Sequence, residues 1–242
     1  MAKERLDKVI ASMGRWSRRE VKALIREGLV TVDGQTAASP EEKADPETAE
    51  ITVAGESLQY RRFTWLMLHK PAGLLSATAD SRQRTVLDLL PPDLRRRGLF
   101  PVGRLDRDTE GLLLLTNDGA LAHRLLAPKN HVDKVYQARL DAPLTPEDAA
   151  AFAAGITLAD GRRCLPAELR VGADPREGFV TLHEGKFHQV KRMFLSRGKT
   201  VLYLKRLSMG GLTLDGDLGK GEYRYLSEGE VARLREKAGI CE

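Results

Sequence analysis

Gly103-Arg104-Leu105-Asp106-Arg107-Asp108-Thr109-Glu110-Gly111-Leu112-Leu113-Leu114-Leu115-Thr116-Asn117-Asp118-Gly119 is the stretch whose reading decides the fold. A charged loop carrying Asp106 runs into four consecutive leucines and ends at Asp118-Gly119. A short apolar run closed by a turn signal reads as a strand buried on both faces. The loop before such a strand can hold a carboxylate in a fixed place beside a cleft. Asp106, Asp108, Glu110 and Gly111 also fall at positions 1, 3, 5 and 6 of a helix-flanked calcium loop. That loop needs a bidentate Glu at position 12, where this chain has Asn117. It also needs helices on both sides, yet Phe100-Pro101-Val102-Gly103 is not helical and the leucines read as strand. Taken alone, the stretch leaves open a plain solvated acidic loop.

The 242 residues have room for one large domain, or for one small and one medium domain. The composition, 42% hydrophobic and 30% charged, is that of a soluble globular protein. No apolar run approaches the ~20 residues of a membrane helix. The start, Met1-Ala2-Lys3-Glu4-Arg5-Leu6-Asp7-Lys8, lacks the apolar core of a signal peptide. Cys164 and Cys241 are the two cysteines, and their spacing suggests neither a disulfide framework nor a zinc site. The expected location is therefore cytoplasmic. Net charge is +5, unevenly spread: +5 over residues 1–26, −7 over 27–60 and +7 over 61–242. A local cationic start fits a polyanionic partner, nucleic acid before membrane, because no amphipathic membrane anchor accompanies it.

Residues 1–60 read as a separate module and 61–242 as a second. Leu6, Val9, Ile10 and Met13 follow the spacing of one helix face, and Gly14 ends that helix. Ser17-Arg18-Arg19-Glu20 is a capping box, after which Val21, Leu24 and Ile25 face inward and Gly28 caps the C-terminus. Leu29–Val32 reads as a strand, Asp33-Gly34 as a hairpin turn, and Ile51–Val53 as another short strand. Residues 40–46 read as an acidic loop and 54–63 as a linker. On the second helix Arg18, Lys22 and Arg26 line one outer face, with Arg15 and Arg19 close by. An ordinary solvated face is the alternative, but few opposite charges are near in sequence to neutralise the stripe.

Beyond residue 64, strands are predicted at 65–68, 179–182, 200–207 and 212–214, with 69–73 as a turn. Helices are predicted from Thr145-Pro146 to Gly155, over 187–197, and from the capping box Ser227–Glu230 onward. Strands separated by turns as often as by helices imply an α+β fold with a mixed, largely antiparallel sheet and flanking helices.

Several of these segments carry a family resemblance. Gly103-Arg104-Leu105-Asp106 followed by Thr109-Glu110-Gly111-Leu112 resembles the catalytic segment of the pseudouridine synthases. Lys134-Val135-Tyr136 is similar to the family's Lys-x-Tyr. Glu184-Gly185-Lys186-Phe187-His188-Gln189-Val190-Lys191-Arg192-Met193 and Gly210–Leu214 with Gly221–Arg224 resemble the branch that modifies ribosomal RNA, the RsuA family. Residues 4–35 are similar to the small RNA-binding domain first seen in ribosomal protein S-four. One departure is His69, where the family usually has Asn before Lys70-Pro71.

The resemblance implies a uridine-to-pseudouridine isomerase acting on ribosomal RNA, with 16S RNA of the small subunit as substrate. The ending near Leu226–Ile240, without a long basic tail, favours that branch over a large-subunit (23S) enzyme. By the same resemblance Asp106 is the catalytic carboxylate, Lys191 the basic residue beside it, and Tyr136 a ring that stacks on uracil and exchanges a proton. Arg104 holds backbone phosphate or fills the gap left by a flipped nucleotide. Arg15, Arg18, Arg19, Lys22 and Arg26 track RNA phosphate, supplying docking more than sequence readout. The chemistry suits a single carboxylate near the ribose C1′, where charge develops as the bond to N1 breaks. Hydrolytic glycosidases need two opposed carboxylates, and Asp108 and Glu110 read as solvated loop charges near Arg104 and Arg107. No metal or other cofactor is required, and a monomer is expected. A non-catalytic RNA-binding or ribosome-assembly factor is the rival of another class. Without the family motif, Lys191 reads as a surface lysine and Tyr136 as a core tyrosine.

Overall fold

The computed structural model describes residues 3–58 and 60–240, so Cys241 lies outside it. The chain divides into two compact units, one of residues 1–64 with 90–99 and one of residues 65–89 with 100–242.

The first unit opens with β1 (Glu4–Arg5) and α1 (Leu6–Ser12), whose Leu6, Val9 and Ile10 are buried. Helix α2 (Arg18–Arg26) begins at the expected capping box: Ser17 Oγ accepts from the Glu20 amide at 3.3 Å, and Glu20 accepts from the Ser17 amide at 2.6 Å. Strands β2 (Val30–Val32) and β3 (Gln35–Thr36) form a hairpin. Its turn has Asp33 and Gly34 both at positive φ, 50° and 79°, which matches the twist of the flanking strands. Strand β4 (Lys43–Ala44) pairs with β1 inside the segment read as a loop. Strand β5 (Ile51–Val53) pairs with β2, and β6 (Glu56–Ser57) pairs with β5. The segment 54–63 is therefore not simply a linker: Ala54-Gly55 makes a second positive-φ turn, at 52° and 82°. Alanine seldom adopts that conformation, so the turn left little trace in the sequence.

Helix α3 (Pro92–Arg96) belongs to this unit although residues 65–89, which belong to the other unit, separate it from the rest. A Cβ on Gly14 would meet the Asp93 carbonyl oxygen at 2.0 Å, so only glycine admits the helix there. Asp7 is fully buried and receives Arg5 at 3.1 Å and Arg18 at 2.8 Å. The Arg5 hydrogen bonds outweigh burial and hold the Asp7 carboxyl down at about 2. A depressed folded value means this contribution is present above the ordinary carboxylate range and is lost as the pH falls towards about 2.

The second unit is built on one sheet, running β11-β12-β10-β13-β9-β7-β15. In chain order these are β7 (Trp65–Lys70), β8 (Phe100–Pro101), β9 (Glu110–Thr116), β10 (Lys134–Leu140), β11 (Glu168–Val171), β12 (Glu177–Leu182), β13 (Val201–Met209), β14 (Leu212–Thr213) and β15 (Tyr223–Tyr225). The short β8 and β14 pair with β9 and β13. Strands β9 and β13 run parallel, while the other pairs in the sheet are antiparallel. The fold is α+β with a mixed, mostly antiparallel sheet, as expected.

The four leucines fill both faces of β9. Leu112 and Leu114 join Trp65, Met67 and Met209 beneath α4 (Gly119–Leu126) and α7 (Glu228–Lys237). Leu113 and Leu115 are equally buried and alternate with them. A second core lies under α5 (Pro146–Ala154) and α6 (Gln189–Leu195), where Phe152, Met193 and Phe194 pack on Ala138, Val180 and Leu204. Three readings change. His69 and Lys70 lie within β7 rather than in a turn. Asp118 caps α4 by accepting from the Leu121 amide at 3.1 Å, where a turn was expected. Helix α6 starts two residues later than predicted because His188 takes a left-handed conformation, φ 47°.

Gly111 lies at the parallel junction, paired with Arg206. Its φ is 105°, and a Cβ would lie 2.1 Å from the Arg206 carbonyl oxygen and 2.7 Å from its amide nitrogen. Gly111→Ala should cost about 3 kcal/mol or more, or prevent folding, because both strain and a backbone clash oppose it. Gly119→Ala has open space and no positive φ, and should stay within about 0.5 kcal/mol of wild type. Urea unfolding of the two variants checks the contrast.

Candidate active site

The loop carrying Asp106 is fastened at its backbone by groups from the preceding segment. Ser76 Oγ donates to the Leu105 carbonyl at 2.9 Å and accepts from the Leu105 amide at 3.1 Å. The Gly73 amide donates to the Arg107 carbonyl at 2.7 Å, and the Thr109 amide to the Asp106 carbonyl at 3.1 Å. Lys70, fully buried at the end of β7, donates to the carbonyls of Pro71, Arg107 and Thr109 at 3.0, 3.2 and 2.9 Å. Burial pushes its ammonium down to about 8, opposed by the charges of Asp108, Asp106 and Glu110. Calcium-loop geometry is absent, since short β8 precedes the loop and β9 follows it where helices would be needed.

Lys191, on α6, brings its ammonium to 3.2 Å from Asp106 Oδ2 and 2.5 Å from Asp108 Oδ1. His188, just before the helix, places Nε2 3.5 Å from Asp106 Oδ1. Asp106 therefore sits between two nitrogen-bearing side chains while about a quarter of it remains open to solvent. Partial burial works to raise the Asp108 carboxyl, but the Lys191 hydrogen bond and charge outweigh it and hold the group below its ordinary value. Asp108 is thus exposed yet paired, rather than a simple solvated charge.

Glu110 departs further from the expected solvated loop charge. It is buried, accepting from Tyr203 Oη at 2.8 Å and from Lys220 at 3.0 Å. Burial and the Glu110 contact push the Tyr203 phenol up to about 12. Neither acid lies beside Asp106 as a second, opposed carboxylate of a hydrolase pair: Asp108 shares the same lysine, and Glu110 is engaged elsewhere.

Tyr136 stands on β10 in a row that crosses the sheet. Val180, Tyr136, Arg206, Gly111 and Lys70 are successive partners on β12, β10, β13, β9 and β7. The Tyr136 ring is half-buried against the core under α5 and α6, and its phenol has no hydrogen-bond partner among the described residues. Arg206 is buried and donates from Nε to the Leu112 carbonyl at 2.8 Å. Arg104 is exposed on the loop, again without a partner among the described residues. His69, at the departure from the family pattern, is buried with Nδ1 2.7 Å from the Leu218 carbonyl oxygen.

The sequence missed Lys70, at the end of β7, and Arg206, within β13, because a cation in or beside a strand reads as exposed. The burial of Glu110 was equally hidden, since its partners lie about a hundred residues away.

The basic face of the first unit is thinner than its sequence suggested. Arg18 is committed to buried Asp7, and Arg15 to Glu56 while also lying over the Trp16 ring. Arg19, Lys22 and Arg26 have no ion-pair partner among the described residues. Arg95 and Arg96 on α3 add exposed cations to the same unit.

Comparison with known proteins gives a family to this arrangement. The family model described as RNA pseudouridylate synthase matches residues 64–196, and the S4 domain model matches residues 4–49. An uncharacterized RNA pseudouridine synthase of Bacillus subtilis (strain 168) is 49% identical over 235 residues, covering 96% of this chain and 98% of that protein. The ribosomal small subunit pseudouridine synthase A of Escherichia coli (strain K12) is 40% identical over 232 residues, covering 95% of this chain and 99% of that protein. A crystal structure of a pseudouridylate synthase superimposes with a TM-score of 0.68 at 35% identity, covering 96% of this chain and 99% of that one. The chain belongs to the RNA pseudouridine synthase family and joins its catalytic domain to an S4 domain.

Proposed function

We propose that this enzyme converts a specific uridine of small-subunit (16S) ribosomal RNA to pseudouridine, with Asp106 as its catalytic carboxylate. Support for the substrate comes from relatives named for the small ribosomal subunit that match along nearly the whole chain. Support for Asp106 is its place between Lys191 and His188 on a fastened loop. The isomerisation breaks the bond between ribose C1′ and uracil N1, turns the base and joins C1′ to C5. The proton on C5 leaves and N1 gains one, so nothing is added or lost overall. A fixed carboxylate at C1′ stabilises the positive charge that develops there as N1 departs. Lys191 pairs with Asp106 at 3.2 Å and fixes where the carboxylate stands, and Tyr136 stacks on the uracil ring. Residues 1–60 dock RNA through Arg19, Lys22 and Arg26, with Arg15 and Arg18 in a lesser role because each already holds an acid. Arg104 contacts the RNA backbone beside the target. The protein works as a cytoplasmic monomer, and no described helix is long and apolar enough to cross a membrane.

The carboxylate assignment is tested by Asp106→Asn, which should abolish tritium release from 5-labelled uridine in ribosomal RNA while RNA binding persists. Substantial turnover by that variant would place the chemistry elsewhere.

Lys191→Met should lower the single-turnover rate, because Asp106 then loses the ammonium that stands 3.2 Å from it. The pair is partly open to water, so the loss should fall short of the about 3–5 kcal/mol typical of a fully buried pair. Lys191→Arg should retain more activity than Lys191→Met. Unchanged rates between pH 5 and 8 for both variants would return Lys191 to the role of a surface lysine.

Replacing Arg19, Lys22 and Arg26 with alanine should flatten the dependence of log affinity on log salt by up to about 0.7–0.9 for each phosphate that is no longer neutralised. An unchanged slope would show that this face does not hold RNA.

A further inference from the structure

We propose that Phe187, stacked on His188 beside Asp106, is a platform for one base of the substrate RNA that neighbours the target uridine. This rests on the reading of the site as an RNA-modifying centre. Phe187 is 73% exposed, an unusual place for a phenyl ring in a segment that is otherwise tightly tied. One of its faces is already used: the Phe187 and His188 rings lie 3.9 Å apart at 16°. The opposite face is left for a second flat ring.

The turn that presents the pair is tied by side-chain hydrogen bonds. Gln189, 4% exposed, accepts from the Lys186 amide at 2.8 Å and donates to Glu184 at 2.7 Å. Glu184 in turn accepts from the Leu165 amide at 2.9 Å. His188 is held at φ 47°, a conformation that a residue with a side chain adopts only when its surroundings impose it. The same histidine stands 3.5 Å from Asp106. The platform is thus joined directly to the carboxylate.

Its occupant is a nucleobase. A flat ring suits π-stacking, and exposed Arg104 and Arg107 on the Asp106 loop supply charge complementary to a phosphate backbone. Stacking tolerates any base, so the platform fixes the geometry of the RNA and not its sequence.

The test first maps pseudouridines in total ribosomal RNA after reaction with the wild-type protein, and binding is then measured on a fragment around the modified uridine. Each neighbouring nucleotide is replaced in turn by an abasic residue. At one position wild type should lose about tenfold in affinity, within the range of a lost base–aromatic stack. Phe187→Leu should show the same loss on intact RNA and no further loss with the abasic fragment, and Phe187→Tyr should restore binding. Wild-type affinity in Phe187→Leu, or losses that multiply at every position, would overturn the platform. A modified site outside 16S RNA would overturn the substrate reading alone, and the platform test proceeds on that RNA. No modification of any ribosomal RNA would overturn both.

Discussion

The close approach of the Gly111 and Arg206 backbones sets the geometry on which the second unit depends. It permits β9 and β13 to lie side by side and parallel, with Lys205 opposite Glu110 and Arg206 opposite Gly111. The segment preceding β9 is the Asp106 loop, and the segment preceding β13 is α6. Helix α6 runs back along β13 for about 10 Å. The four steps from Val201 to Lys205 span about 13 Å. The first turn of the helix is therefore level with the head of β9, which is where Lys191 and His188 meet Asp106. A cluster of side chains split by more than eighty residues of sequence is assembled by the register of one strand pair.

Charge in this centre is arranged by depth. The deepest cation, Lys70, reaches no carboxylate and instead gathers three backbone carbonyls, so it shapes the loop. The shallower Lys191 meets two carboxylates directly. Desolvation explains the division. A fully buried ammonium is stabilised by several fixed dipoles, whereas one near the surface can pair with acids that also touch water. Glu110 extends the pattern, with Lys220 and Tyr203 as its partners.

Much of this was legible in the sequence, for identifiable reasons. Capping boxes at Ser17 and Ser227, the Asp33-Gly34 turn and the leucine run are local signals, and each element formed where expected. The Asp106 loop and the Lys191 helix were recognised by motif, but their 3.2 Å meeting depends on strand register, which no local pattern encodes. The short strands β4 and β6 were missed because two-residue pairings leave almost no periodicity. Counting charges along and just before the second helix overestimated the free cations, since Asp7 on the first helix takes Arg18 and the more distant Glu56 takes Arg15.

The position of α3 bears on how the protein can be dissected. The polypeptide leaves the first unit after Thr64, returns to it for Leu90–Leu99, and leaves again. Leu94 and Leu99, 2% and 1% exposed, lie in that returning segment. A fragment beginning at residue 61 would thus still carry a helix whose own unit had been removed. Its apolar side would become sticky surface, and poor solubility of such a fragment would say nothing about RNA. The two units of this chain cannot be parted by a single cut, because one of them is built from two separate stretches of the polypeptide.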